Sequence, residues 1–366
     1  MIYRMIQRTL IIFYFLLPVF TGLHAQDTHF SNYHFMPLTV NPAMTGAFNG
    51  TYRLGGMYKD NYTFAQSANG YHVVNVFGDS PIMRGFRSID WIGIGVETNQ
   101  LSYAGSTRNN EGVHEKYSLN WTNFKISGSY HFSLNKKQSR ILTLGLQINM
   151  SSLNFNEAAL RNINNTRYGI ATGVDDPDMR TYLNSITTTN NRGMQARTGF
   201  RDFITGLLFV NKNKQGELRL GFAAEGITRP RYGLQNGGSY RKPVGFHFHG
   251  EYEIIMNKRT RIIPAAYFYS IGAANALNIN GRVKYLVNQE KDLVLVGGLG
   301  ARNLRQGILM LGAEFSNYQL GASFDFDLGD SAIASQGFHG FEIGLIYKGI
   351  IYKKPKTTPI ILCPRI

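Results

Sequence analysis

Residues 124–151 constrain this chain more than any other stretch. They read Phe-Lys-Ile-Ser-Gly-Ser-Tyr-His-Phe-Ser-Leu over 124–134 and Leu-Thr-Leu-Gly-Leu-Gln-Ile-Asn-Met-Ser over 142–151, with a polar turn between. In both halves the even positions are apolar or Gly and the odd ones polar or Gly. Side chains alternate faces along a strand, so each half has one greasy face and one wet face. The turn is short and charged, with Lys136 and Lys137 at its centre. This is a β-hairpin whose strands are each about ten residues long, enough for a tilted strand to cross a bilayer. A soluble β-sandwich gives the same pattern, so the rest of the chain has to decide.

Composition narrows the class. Of 366 residues, 17% are charged and 13% aromatic, and 40 are Gly, which suits an all-β chain with many turns. Outside the N-terminus no apolar run is long enough for a spanning helix, so a helical membrane protein is excluded. The net charge is +15, yet Lys and Arg are spread singly or in pairs, without a recognition helix or zinc spacing. No nucleic-acid partner is expected. Distributed basic loops suit a protein facing lipid phosphates or an acidic partner.

At the N-terminus Arg4 and Arg8 precede an apolar core over 10–20, then Gly22, Leu23, His24 and Ala25. This reads as a secretory signal peptide, residues 1–25, cleaved after Ala25. Export to the outer membrane is the expected destination. The single Cys363 rules out an internal disulfide.

Residues 26–50 show neither strand nor helix period, and Asn41-Pro42 and Gly46 favour bends. They read as an irregular segment packed on or inside a barrel. Strand candidates then follow at 51–59, 71–77, 91–98, 123–134, 141–151, 202–211, 217–224, 243–255, 261–269, 276–287, 293–301, 307–315, 318–327 and 338–347. Connections leaving even-numbered strands are mostly tight, as at 135–140, 212–216, 256–260, 288–292 and 316–317. Those leaving odd-numbered strands are mostly long, as at 99–122, 152–201, 225–242 and 328–337. Short turns at one end and long loops at the other are the habit of outer-membrane barrels, with the short turns in the periplasm. The expected fold is therefore all-β: a transmembrane antiparallel β-barrel of about 14 strands over 51–348, both ends in the periplasm, followed by a periplasmic C-terminal tail, 349–366. The connection 78–90 is the long exception on the periplasmic side.

Chemistry is sparse. His247, His249, Glu251 and Glu253 alternate on one face of a strand, and His-x-His-x-Glu is a pattern that can hold a metal. Strand alternation already explains the spacing, so the expectation is the wet interior of a barrel with no metal and no cofactor. Asp325 and Asp327 share a face near Glu314 and are expected to offset lumen cations such as Arg282 and Lys284 rather than to catalyse. There is no nucleophile elbow or phosphate loop, and Cys363 has only Arg365 nearby to activate it. Nothing here points to an enzyme.

Three stretches carry a family resemblance. Gln26-Asp27, Phe30-Ser31, Tyr33 and Asn41-Pro42-Ala43 with Gly46 are similar to the opening motif of the PorP/SprF outer-membrane proteins of Bacteroidetes type IX secretion and gliding-motility systems. Gly221-Phe222 followed by Glu225, Gly226, Ile227, Thr228, Arg229 and Pro230 resembles a strand and Pro-containing loop of that family. Phe341-Glu342-Ile343 with Gly344 and Tyr347, then Cys363-Pro364-Arg365, resembles its ending, and also the barrel-assembly signal of outer-membrane proteins. The resemblance implies a non-catalytic barrel that aids secretion or surface anchoring of a large adhesin-type partner. It also implies contacts with type IX components, outer-membrane lipid and a peptidoglycan-linked lipoprotein. Gln26, Asp27, Phe30, Tyr33, Asn41, Pro42, Arg229, Arg231, Cys363, Pro364 and Arg365 are the partner-binding candidates. A passive porin-like channel for small solutes is the competing reading, and an open or filled lumen separates the two.

Overall fold

The computed structural model describes residues 30–61, 71–83, 89–108, 114–155, 197–232, 240–272, 274–328 and 338–351. The expected signal peptide over 1–25, Gln26 and Asp27, most of the longest connection, and the tail with Cys363, Pro364 and Arg365 lie outside them.

The strands are β1 (Tyr52–Asn61), β2 (Tyr71–Ile82), β3 (Trp91–Arg108), β4 (His114–Ser133), β5 (Arg140–Phe155), β6 (Arg197–Asn213) and β7 (Gly216–Glu225). Two short ones follow, β8 (Arg231–Tyr232) and β9 (Tyr240–Arg241). Then come β10 (Gly245–Ile255), β11 (Thr260–Ile271), β12 (Ala274–Asn288), β13 (Leu293–Arg302), β14 (Gln306–Phe315), β15 (Tyr318–Asp327) and β16 (Phe338–Gly349). All but β8 and β9 form one closed antiparallel barrel, 14 strands in sequence order, with β1 pairing β16 from Tyr52↔Gly349 to Asn61↔Gly340. Closure leaves no edge within the bilayer, where an unpaired backbone group finds no water. β8 and β9 form a separate two-stranded ribbon.

The 124–151 hairpin behaves as its alternation requires. Phe124, Ile126, Leu142, Leu144, Leu146 and Ile148 are exposed on the outside. Lys125, Ser127, Ser129, His131, Thr143, Gln147 and Asn149 are buried in the lumen. Its turn is fixed by Asn135, whose Oδ1 accepts the Ser139 N–H at 2.9 Å. At the level of this turn, Tyr52, Tyr318 and Tyr347 cluster, with ring centroids 5.9 Å and 4.9 Å from Tyr347, as in the aromatic girdle of a membrane interface.

The connections differ from the sequence reading in length. The span 99–122 is mostly ladder, because β3 runs to Arg108 and β4 begins at His114. Strands that rise out of the bilayer lose their apolar outer face while the hydrogen-bonded ladder continues, so the period-2 signal fades before the strand does. For the same reason β5 reaches Phe155 and β6 starts at Arg197. On the opposite side β2 extends to Ile82, which shortens the exceptional connection to 83–90. Asp90 at its end accepts the Ser133 N–H at 2.8 Å and so fastens it to the foot of β4.

Candidate functional site

The lumen holds the N-terminal segment. A 3-10 turn at Tyr33–Phe35, a single α-turn at Pro37–Val40 and a 3-10 turn at Pro42–Met44 make a compact strap. Proline begins two of these turns, where its missing N–H costs nothing and its fixed φ suits the bend. Phe30, Ser31, Tyr33, Phe35, Met36, Leu38, Asn41 and Ala43 are buried.

The strap runs the length of the interior. Its first residues lie toward the long-loop end. There the N–H groups of Ser31 and Asn32 donate to the two carboxylate oxygens of Glu342, at 2.7 and 2.8 Å. The Ser31 hydroxyl donates to Asp325 at 2.7 Å, and Arg302 donates to that hydroxyl and to Asp325. Lys59 balances Glu342 at 3.3 Å and lies 5.6 Å from the Phe30 ring centroid. Burying these charges is affordable only because each is paired and hydrogen-bonded.

Lower down, the Thr39 hydroxyl donates to Glu97, which also takes Asn75 at 2.6 Å and Lys125 at 3.4 Å. The Gln147 amide donates to the Leu38 carbonyl at 3.2 Å. Asn41 has two jobs. Its Oδ1 accepts the Ala43 N–H at 2.8 Å and so closes the Pro42–Met44 turn. Its Nδ2 donates to the Leu207 carbonyl at 2.8 Å and lies 3.0 Å from His249 Nε2.

At the short-turn end the strap leaves toward β1. Asp79 accepts the Gly46 N–H at 2.7 Å, and Arg53 Nε and Nη2 at 2.8 and 2.7 Å. The Thr45 carbonyl accepts the Ser129 hydroxyl at 2.6 Å and sits 2.8 Å from His131 Nε2. Ala43 packs with Ile141, Leu208 and Val210 in a small dry cluster against β5 and β6.

Glycines on the inner face make the room. A Cβ at Gly145 would lie 2.2 Å from the Ala43 nitrogen, and one at Gly206 would lie 2.0 Å from Asn41 Oδ1. Cβ atoms on Gly321 and Gly344 would strike the Phe35 ring, at 2.4 and 2.8 Å. These positions are occupied by strap where other lumen positions carry side chains.

Electrostatics keep the strap's ionisable groups quiet. Burial, with Arg282 and Lys284 nearby, holds the His34 imidazole well below its usual range, so it stays neutral. Burial likewise raises the Tyr33 phenol, whose ring packs against that of Tyr267 with centroids 4.9 Å apart and planes tilted by 30°.

Four of the candidate residues therefore come together in the lumen: Phe30, Tyr33, Asn41 and Pro42. Arg229 and Arg231 do not join them; both are exposed at the long-loop end, Arg229 just before the β8–β9 ribbon and Arg231 within it. Gln26, Asp27, Cys363, Pro364 and Arg365 lie outside the described residues. The His-x-His-x-Glu face is lumenal, and each member has a partner. His247 Nδ1 lies 2.8 Å from the Tyr267 hydroxyl, His249 touches Asn41, Glu251 takes Arg282 at 2.8 Å, and Glu253 takes Arg261 at 2.7 Å. The lumen carboxylates pair differently from expectation. Asp325 takes Arg302, Asp327 takes His339 at 3.1 Å, and it is Glu314 that takes Lys284 at 2.8 Å. Barrel tilt decides these neighbours, and a linear sequence does not display it. Sequence reasoning missed Asp79, Glu97, Ser129, His131 and Gln147 as anchors. The available signal was a carboxylate or Gly at an inward slot of an otherwise regular strand.

A closed barrel with a lipid-facing apolar belt and its own N-terminal strap in the lumen defines an outer-membrane β-barrel protein of the filled type. The family model for the type IX secretion system membrane protein PorP/SprF matches residues 23–347, and the chain belongs to that family. Its fold is similar to the toluene transporter TbuX of Ralstonia pickettii, with TM-score 0.48 and 11% identity over 91% of this chain and 96% of that one. It is also similar to the toluene transporter TodX of Pseudomonas putida, with TM-score 0.47 and 11% identity over 88% and 94%. A third similar barrel is CdiB from Escherichia coli, with TM-score 0.40 and 10% identity over 81% and 63%. No curated protein matches the chain.

Proposed function

We propose that this barrel is a non-catalytic outer-membrane component of type IX secretion and gliding-motility machinery, aiding secretion or surface anchoring of a large adhesin-type partner. One observation carries the reading: the strap from Phe30 to Gly46 is bonded to the lumen wall at its top, middle and bottom. A lumen occupied by its own chain is a poor conduit for small solutes, which weighs against the passive porin-like channel. The work then falls to the two rims. The long-loop rim meets the exported protein. The short-turn rim, with connection 83–90 and the tail after β16, meets type IX components and a peptidoglycan-linked lipoprotein. The partnered state of His247, His249, Glu251 and Glu253 supports a non-catalytic role.

Conductance in liposomes tests this. The full chain should pass little steady current, and a variant lacking residues 30–46 should pass much more. Large, steady conductance from the full chain would favour the channel. Removal of residues 350–366, beyond the last paired residue of β16, should reduce adhesin display in cells while the barrel still assembles; unchanged display would remove the tail from the docking surface.

A further inference from the structure

The strap fills the lumen unevenly. Its three turns lie against β1, β3 to β6 and β16. On that side the inward carboxylates are sealed, with Asp79 and Glu97 at most 1% exposed. The lower part of the opposite wall, on β7, β10, β11, β12 and β14, stays wet. There the inward side chains grade from 54% exposed at Arg261, through 35% at Arg219 and 23% at Glu251, to 6% at Arg282. In a closed ring an inward side chain meets only the water of the lumen. The gradient therefore marks a vestibule open at the short-turn end and closed beyond Arg282. Tyr33, His249, Tyr267 and Asn280 are buried at its closed end. From Lys284 to Asn280 is four residues of tilted strand, a depth of about 10 Å. The turns that frame the mouth, 213–216, 256–259, 289–292 and 316–317, all lie within the described residues.

The closed end holds polar atoms that the protein leaves unpaired. Arg282 Nη2 donates to Glu251 at 2.8 Å, while its Nε–H has no partner. The Asn280 amide nitrogen donates to Asn278 at 3.1 Å, while its Oδ1 has none. The Tyr33 hydroxyl, within electrostatic reach of Glu251, Arg282 and Asn280, has none either. Burying such atoms unpaired costs free energy, so a molecule that pairs them is favoured there. The carboxylates of this wall are already taken. Glu251 holds Arg219 and Arg282, Glu253 holds Arg261, and Glu314 holds Lys284. At the mouth Lys348 sits directly opposite Arg53, which belongs to Asp79. Among the described residues no carboxylate lies within ion-pair distance of the Lys348 ammonium. Two unused donors, Arg282 Nε–H and the Tyr33 hydroxyl, call for an anionic acceptor. Asn280 Oδ1 calls for a donor beside it. A carboxylate next to an amide N–H offers both.

We propose that this vestibule is a binding pocket for an acylated amino-acid carboxylate, the chemistry of a peptide chain end, entering from the short-turn side. Arg282 and Tyr33 take the carboxylate, Asn280 takes the amide N–H, and Lys348 draws the anion to the mouth. The depth admits about two or three extended residues. The pocket is built by the barrel wall and the strap and does not depend on the secretion role proposed above.

The test titrates the full chain in nanodiscs into N-dansyl-Ala-Ala, as the free acid and as its amide, with fluorescence anisotropy as the readout. The acid should bind about tenfold more tightly than the amide, as charge-assisted contacts require. Tyr33→Phe and Lys348→Gln each remove a group that bonds to no other described residue. Each variant should therefore melt as the parent does and bind the acid about fivefold more weakly. Lys136→Gln, on the outer rim, should leave the affinity unchanged, and so should removal of residues 352–366. Probes built from L- and D-alanine distinguish the sources, since an L preference marks a protein chain end and a D preference a cell-wall stem peptide. Equal binding of acid and amide, or unchanged affinity in both variants, would overturn the pocket. So would binding seen only after removal of 352–366, or no binding of either probe, which would leave the vestibule to water.

Discussion

The backbone N–H of Ser31 donates to Glu342 Oε1 at 2.7 Å, across 311 positions of sequence. The bond joins the start of the lumenal strap to the last strand of the barrel. Strap and closure are thus fastened at one point, with Lys59 supplying the counter-charge from β1, the strand that pairs with β16.

Glu342→Ala should therefore be costly. It takes the Glu342 carboxylate away from the buried Lys59 ammonium and removes the acceptors of two strap amides. The expected loss is roughly 3–5 kcal/mol, the range for breaking a buried pair. Urea unfolding in lipid vesicles measures it, and a loss below about 1 kcal/mol would show that water replaces the carboxylate.

Gly206→Val should displace the strap rather than the barrel. Its side chain needs the space of Asn41, while the strand itself tolerates Val well. A cysteine placed at Thr39, in a Cys363→Ser background, should react with a water-soluble maleimide faster in this variant than in its parent. The same substitution at Gly281, where an added Cβ meets nothing within 4 Å, should leave the rate unchanged.

Leu146→Arg should destabilise the barrel by about 2–4 kcal/mol, the cost of an arginine on the lipid face near the midplane. Leu146 is 68% exposed on the outer face of β5. Refolding into vesicles of known thickness reads the effect. Lys136→Glu, in the exposed turn of the same hairpin, should change stability by less than about 0.5 kcal/mol.

Asp202→Ala should loosen the long-loop rim on one side only. It removes the acceptor for Gly226 and Lys242 and leaves Lys242 with Glu225 alone. Proteolysis within residues 226–244 should speed up, while the 134–139 turn at the opposite end should keep its resistance.

Much of the barrel was legible in the sequence, and particular residues say why. Ile126, Leu144 and Ile148 alternate with Ser127, Thr143 and Gln147, and in a membrane that alternation has one physical outcome: a strand with lipid on one side. Fourteen such segments, with tight connections at one end, specify the closed ring. Where strands rise past the bilayer, as β3 and β4 do beyond residues 99 and 122, the outer face turns polar and the signal stops before the ladder does. The motif at 341–347 was legible as an ending, but Glu342 and Gly344 also grip the strap, and only their inward position reveals it.

The sequence by itself determined the class of fold, the strand count and the two-ended loop pattern, because a local period and turn chemistry encode them. The tertiary structure decided what fills the lumen and which way it runs. Phe30 lies toward the long-loop end and Gly46 at the short-turn end, although β1 and β16 begin and finish at the latter. Residues 30–46 have no period of their own. They take their path from glycines and carboxylates on six strands, β2, β3, β5, β6, β15 and β16, and those come to one place only when the ring closes.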